Sequence, residues 1–154
     1  MEPRDDFCVF ILTYKRPDNQ LTLNLLERSG YDGDWYMVVD DEDPTLEQYR
    51  DNYGDHVVTF SKAKLEKQFD TGVNGQWRNS VVFARNACWE IARELGYDYF
   101  MQLDDDYSTF TYRYDENYQY GYEQDDDPER GLWNVEDFDR FVDPMIRYLE
   151  RSGA

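Results

Sequence analysis

Apolar residues in this chain fall into short, nearly unbroken runs separated by longer amphipathic stretches. Phe7–Thr13 (FCVFILT) is a continuous β-rich run bounded by charge, the pattern of a strand covered on both faces. Trp35–Val39 (WYMVV), His56–Phe60 (HVVTF) and Tyr97–Leu103 (YDYFMQL) repeat it. Between these runs the period lengthens to that of helices. Leu21, Leu25 and Leu26 share a face over Gln20–Arg28, with Asp18 or Asn19 as the N-cap. Thr45–Tyr53 forms a second helix next to Pro44. Lys62–Gln76, with two glycines, reads as a short helix and then an irregular loop. Arg78–Leu95 carries a wide stripe (Val81, Val82, Ala84, Arg85, Cys88, Trp89, Ile91, Ala92) that stops at Gly96. The order βαβαβαβ with short connections predicts an α/β fold, a mostly parallel sheet flanked by helices.

Beyond residue 107 the pattern changes. Thr109–Tyr122 alternates aromatic and polar residues, which predicts an antiparallel ribbon turning near Asp115-Glu116-Asn117. Asp125–Gly131 is a solvated loop. A last helix is expected over Val135–Arg151, capped by Asn134, burying Phe138, Phe141, Val142, Met145, Ile146 and Leu149, and kinked at Pro144. No internal repeat or low-complexity linker is present, and 154 residues suit a single domain over 1–154.

Composition narrows the possibilities. Aromatic residues make up 18% of the chain, which sets it apart from disordered sequences despite a mean hydropathy of −0.93. A net charge of −18, with only 16 Lys and Arg, argues against a bare nucleic-acid or membrane surface. Cys8 and Cys88 each lie in an apolar run without metal or redox spacing, so both are expected as buried free thiols. Neither a secretory leader nor a membrane-spanning run is recognisable, and a cytoplasmic location is expected.

The acidic residues are distributed unevenly in kind. The strand YFMQL runs straight into Asp104-Asp105-Asp106, whereas the second triplet, Asp125–Asp127, lies in wholly polar sequence. Thr13-Tyr14-Lys15-Arg16 ends the first strand and Asp40-Asp41 the second. In an open parallel sheet all three clusters fall on the carboxyl edge, where ligands bind. Carboxylates after the second strand accept hydrogen bonds from a base or ribose, and Lys15 and Arg16 suit phosphates. Asp104 and Asp106, at Asp-x-Asp spacing, present two hard oxygen ligands for Mg2+ or Mn2+, completed by phosphate oxygens. Arg85 adds a bidentate phosphate contact. His56, the single histidine, opens a strand away from this edge and reads as structural.

The ordered set TYKRP, VVDDED, FARNACWEIA and FMQLDDD resembles GT-A glycosyltransferases. Within that class it is most similar to the phage TET-associated glycosyltransferases, over roughly residues 7–110. The resemblance implies a GT-A fold with a nucleotide-sugar-binding half over 7–107 and an abbreviated acceptor-side ribbon and helix over 108–154. It implies a nucleotide-diphospho-sugar donor, with a UDP-sugar expected, and hydroxymethylated pyrimidine in phage DNA as acceptor. Thr13 and Tyr14 then lie against the nucleobase, Asp40 or Asp41 reads it, and Lys15 and Arg16 complete the donor set. Arg85 faces the diphosphate, Asp104 the ribose or metal shell, and Asp106 the metal, while Asp105, counted with the donor-binding set, lies between them at a register that a triplet leaves open to pointing away. The resemblance names no catalytic base here, because the half that supplies one in GT-A enzymes is short in this chain.

Three other readings compete. A donor-binding module or fragment that no longer transfers sugar fits the short C-terminal region. A phosphoacceptor receiver domain shares the acidic pair of MVVDDED, but it should begin at that strand and needs a later lysine, and none follows Lys67. A nucleotidyltransferase needs a glycine-rich loop after the first strand, and Tyr14–Pro17 has no glycine.

Overall fold

The computed structural model describes residues 3–66, 81–114 and 133–153. Four strands form one sheet: β1 (Phe7–Leu12), β2 (Asp34–Asp40), β3 (Val57–Phe60) and β4 (Tyr99–Asp104). All are parallel, in the order β3-β2-β1-β4. Helices α1 (Leu21–Arg28), α2 (Leu46–Tyr53), α3 (Lys62–Leu65), α4 (Val81–Leu95) and α5 (Phe138–Ser152) flank it, and β5 (Thr111–Tyr112) pairs antiparallel with β6 (Trp133–Asn134). The α/β architecture expected from the sequence is present.

β1 explains why its run is unbroken. Phe7, Val9 and Ile11 face α1, α2 and α5 in one core, with Leu26, Met37, Val39, Tyr49 and Phe138. Cys8, Phe10 and Leu12 face α4 in the other, with Val38, Phe83, Cys88 and Ile91. Both alternating sets are covered, so no position on the strand is left for a polar residue. Cys8 and Cys88 are buried free thiols.

Several details differ from the expectations. Gln20, not Asp18 or Asn19, occupies the N-cap position of α1, and the Asp18 carboxylate instead accepts from Gln48 Nε2 and Asn52 Nδ2 of α2. Leu21 is exposed, while Leu23, Leu25 and Leu26 are buried. His56 falls in a 3-10 turn ahead of β3 and stacks on Trp35 at 4.1 Å. Val81, Val82 and Trp89 of α4 are exposed, because its buried stripe runs instead through Phe83, Ala84, Ala87, Cys88, Ile91 and Ala92.

In α5 the cap is Asp137, whose side chain accepts from Arg140 N, and Asn134 belongs to β6. That helix continues through Pro144. Met145 and Leu149 are exposed, since only Phe138, Val142 and Ile146 of the apolar set are fully covered by the sheet layer. The described partner of β5 is residues 133–134, and the returning half of the expected ribbon, from 115 to 122, lies outside the described residues. The expected turn at 115–117, the loop and second triplet at 125–131, the segment 67–76 and the start of α4 at 78–80 lie outside the described residues. Among the described residues, no helix is long and apolar enough to cross a membrane.

Candidate functional site

Strand order places the site. The β1–β2–β3 connections run to one side of β1, and the β3–β4 connection crosses to the other, so the order reverses between β1 and β4. Loops diverge at such a point and leave a crevice at the carboxyl ends. Leu12 pairs with Asp104 in the β1–β4 ladder and Asp40 with Phe60 in the β2–β3 ladder, so each of these two pairs ends level, and β2 runs two residues past Val38, the partner of Leu12. A cleft of about 320 Å³ lies there, lined by Thr13, Tyr14, Arg16, Asp40, Lys62 and Asp104–Asp106 among others.

The three aspartates of the triplet have different surroundings. Asp105 is turned inward and only 7% exposed. Its Oδ2 accepts from Thr13 Oγ1 at 2.7 Å and its Oδ1 from Arg16 Nη1 at 3.1 Å. Thr13 Oγ1 in turn accepts from Gln20 Nε2 at 2.9 Å and shares a 2.7 Å hydrogen bond with Tyr49 OH. Because the Thr13 proton goes to Asp105, Tyr49 must donate to Thr13, and Tyr49 itself accepts from Arg16 N at 2.9 Å. The result is one directed chain, Arg16 N–H to Tyr49 to Thr13 to Asp105, whose members polarise one another. Burial pushes the Tyr49 hydroxyl pKa up, which keeps it protonated as a donor.

Asp104 and Asp106 point elsewhere. Arg85 Nη2 of α4 lies 2.9 and 3.2 Å from the two Asp104 carboxylate oxygens. The Asp106 side chain is 63% exposed, with Arg16 Nη1 at 3.7 Å. The turn bearing all three is fixed from α1 by Thr22, which is fully buried. Its hydroxyl donates to the Asp104 carbonyl and accepts from Tyr107 N, and its own N–H donates to the Asp105 carbonyl.

On the β2 side, Asp40 is 4% exposed and forms an ion pair with Lys62 Nζ. Lys62, itself 8% exposed, also stands over the half-open Tyr14 ring at 5.1 Å, and Lys15 Nζ lies 4.8 Å from the same ring. Tyr14 is thus an aromatic surface flanked by two cations. Lys15 has a left-handed backbone (φ 56°), held where its N–H donates to the buried Asp43 carboxylate at 2.9 Å. That carboxylate also accepts from Thr45 N and Oγ1.

Of the residues singled out in the sequence, Thr13, Tyr14, Arg16, Asp40, Asp104, Asp105 and Asp106 line one cleft. Arg85 reaches it through Asp104. Asp41 is exposed and outside the lining, engaged through its backbone N–H to the Phe60 carbonyl, and Lys15 is also outside. Lys62, Thr22 and Tyr49 were not singled out. Only Lys62 left a sequence trace, as a cation two residues after β3.

The donor set suits a hard divalent ion in part. Asp104 and Asp106 offer two carboxylates, which is what Mg2+ or Mn2+ takes from a protein when substrate phosphates fill the remaining positions. Among the described residues, no cluster of three or more His, Cys, Asp or Glu side chains is placed to enclose a metal alone.

A family model for the TET-associated glycosyltransferases matches residues 7–148. No curated protein and no solved structure matches the chain. The family match spans the four strands, the cleft and most of α5, nearly the whole chain, and the protein belongs to the TET-associated glycosyltransferase family.

Proposed function

We propose that this glycosyltransferase binds a nucleotide-diphospho-sugar, with UDP-sugars the expected donors, and transfers the sugar with the help of Mn2+ or Mg2+. The observation that carries the reading is the convergence of three strand ends, at Thr13, Asp40 and Asp104–Asp106, on one cleft at the reversal of strand order. Tyr14 offers a face on which a base stacks. The Asp40–Lys62 pair offers one acceptor and one donor for the base edge or ribose. Arg16 and Arg85 supply the cationic donors a diphosphate needs. Asp104 and Asp106 would hold the metal, which when bound neutralises charge on the departing diphosphate. Hydroxymethylated pyrimidine in DNA is the acceptor we propose. Because the chain carries −18 net charge, DNA approaches it only with basic surface contributed by a partner or with the base presented on a short single strand.

Calorimetry with UDP, UDP-glucose and Mn2+ tests the reading, using the wild-type protein and Asp106→Ala. Metal-dependent nucleotide binding by the wild type, weakened at least tenfold in the variant, is expected. Equal binding by both proteins, or none by either, would refute it. Donor binding without transfer or donor hydrolysis across modified-DNA substrates would favour the binding-module alternative.

A further inference from the structure

Every carboxylate of the Asp104–Asp106 triplet carries an arginine. Arg85 sits on both oxygens of Asp104, and Arg16 Nη1 is 3.1 Å from Asp105 and 3.7 Å from Asp106. The members of these pairs are not equally fixed. Asp105 is buried and anchored by Thr13, whereas the Arg85 side chain is 41% exposed and that of Arg16 52%. The two guanidiniums therefore form the movable half of the cluster. They occupy the same carboxylate oxygens that a metal would need.

Resting on the donor reading above, the geometry points to a gate: Arg85 and Arg16 hold the metal-ligand carboxylates closed until a diphosphate draws the guanidiniums away. The charges explain why the gate favours joint entry. Three carboxylates and two guanidiniums leave the closed cluster at −1. A divalent cation entering alone meets carboxylates already engaged and two positive neighbours. A diphosphate accepts the guanidiniums in bidentate fashion, and each arginine that turns to phosphate frees a carboxylate oxygen. Donor and metal then raise each other's affinity by the same factor, as linkage requires. Arg85 is the principal bolt, because it holds both oxygens of one ligand. Arg16 is the lesser one, since its contact to Asp106 is long and its backbone N–H is tied to Tyr49. Both act as positioning residues for the metal and as direct partners of the diphosphate.

The test is Mn2+ binding followed by electron paramagnetic resonance, with and without saturating UDP, for the wild type, Arg85→Gln and Arg16→Gln. These side chains are part-exposed, so the variants should fold, and circular dichroism confirms it. In the wild type, UDP should tighten Mn2+ binding by about tenfold or more, within the range typical of coupled sites. Arg85→Gln should bind Mn2+ more tightly than wild type in the absence of UDP, by several-fold, and lose most of the enhancement by UDP. Arg16→Gln should shift the same way by less. If the wild type shows UDP-linked Mn2+ binding but Arg85→Gln leaves the UDP-free affinity unchanged or weaker, the gate is overturned and the donor reading stands. If the wild type binds neither UDP nor Mn2+, both are overturned.

Discussion

Replacing Thr13 by valine keeps the branched shape of the side chain and removes one hydroxyl from the centre of the Asp105 network. The consequence can be counted from the bonds that hydroxyl makes. Asp105 Oδ2 loses its 2.7 Å donor, a bond to a buried charged acceptor. Such a bond contributes about 1.5–3 kcal/mol. Tyr49 OH and Gln20 Nε2 each lose an acceptor but keep a second partner, the N–H and the carbonyl of Arg16 respectively. Those two neutral bonds add about 1 kcal/mol each, offset by roughly 1 kcal/mol for the buried methyl that valine gains. The net expectation is a loss of about 3 kcal/mol. For a chain of this length that lowers Tm by about 6–12 °C. Urea unfolding should show a lower midpoint at unchanged slope, meaning that stability changed while the exposed surface did not. Thr13→Ser retains the hydroxyl and should lose only about 1 kcal/mol. A loss in Thr13→Ser as large as, or larger than, that in Thr13→Val would show that the hydroxyl chain is not what holds this site together, and the reasoning would fail.

Other consequences follow from the same groups. Lys62→Met leaves the Asp40 carboxylate buried without its cation and should lose about 3–5 kcal/mol, much of it recovered in Lys62→Met/Asp40→Asn; a double variant as unstable as the single one contradicts the pairing. Burial pushes the Cys88 thiol up to about 12, so its thiolate fraction at pH 8 is about one in ten thousand, and burial raises Cys8 as well. Neither cysteine should react with a thiol reagent until urea unfolds the chain; rapid labelling of the native protein would overturn that. Burial also raises the Asp139 carboxyl above its ordinary 3.8. The folded state then binds the proton more tightly than the unfolded one, so this group's contribution declines as pH rises from 3.8 through the folded value. Asp139→Asn should therefore stabilise the protein at pH 7 by an amount that shrinks as pH falls from the folded value toward 3.8, read by urea melts across pH; a gain that grows on acidification would contradict it.

What could be read from the chain, and what could not, divides along a physical line. β1 was legible because a strand buried on both faces must be apolar at every position, and FCVFILT shows this outright, whereas the part-buried edge strands β3 and β4 were legible as short β-rich runs between turns. The convergence of Thr13, Asp40 and Asp104–Asp106 follows from parallel order alone, since parallel strands put their carboxyl ends on one edge. Side-chain direction was not legible. Three consecutive aspartates give no hint that the middle one is buried, because what turns it inward is Thr13, just past the end of β1, backed by Tyr49 on α2. Thr22 and Tyr49 carry no sequence signal, as a threonine in the first turn of a helix and a tyrosine in a polar helix are ordinary. Lys62 was within reach: a lysine shortly after β3 belongs to the same edge as Asp40, and the rule applied to three strand ends extended to the fourth. The exposed Met145 and Leu149 of α5 show the opposite limit. Helical periodicity marks an apolar stripe but not how much of it the sheet is wide enough to cover.

The central claim is that three strand ends hold one ligand, and a crystal of the protein grown with UDP and Mn2+ tests it most directly. The account predicts one nucleotide in the cleft, its base against Tyr14 and within reach of Asp40 and Lys62. Its diphosphate should be engaged by Arg16 and Arg85, with the metal on Asp106 and Asp104. A nucleotide bound elsewhere, or one that touches a single strand end while Arg85 stays on Asp104, would contradict it.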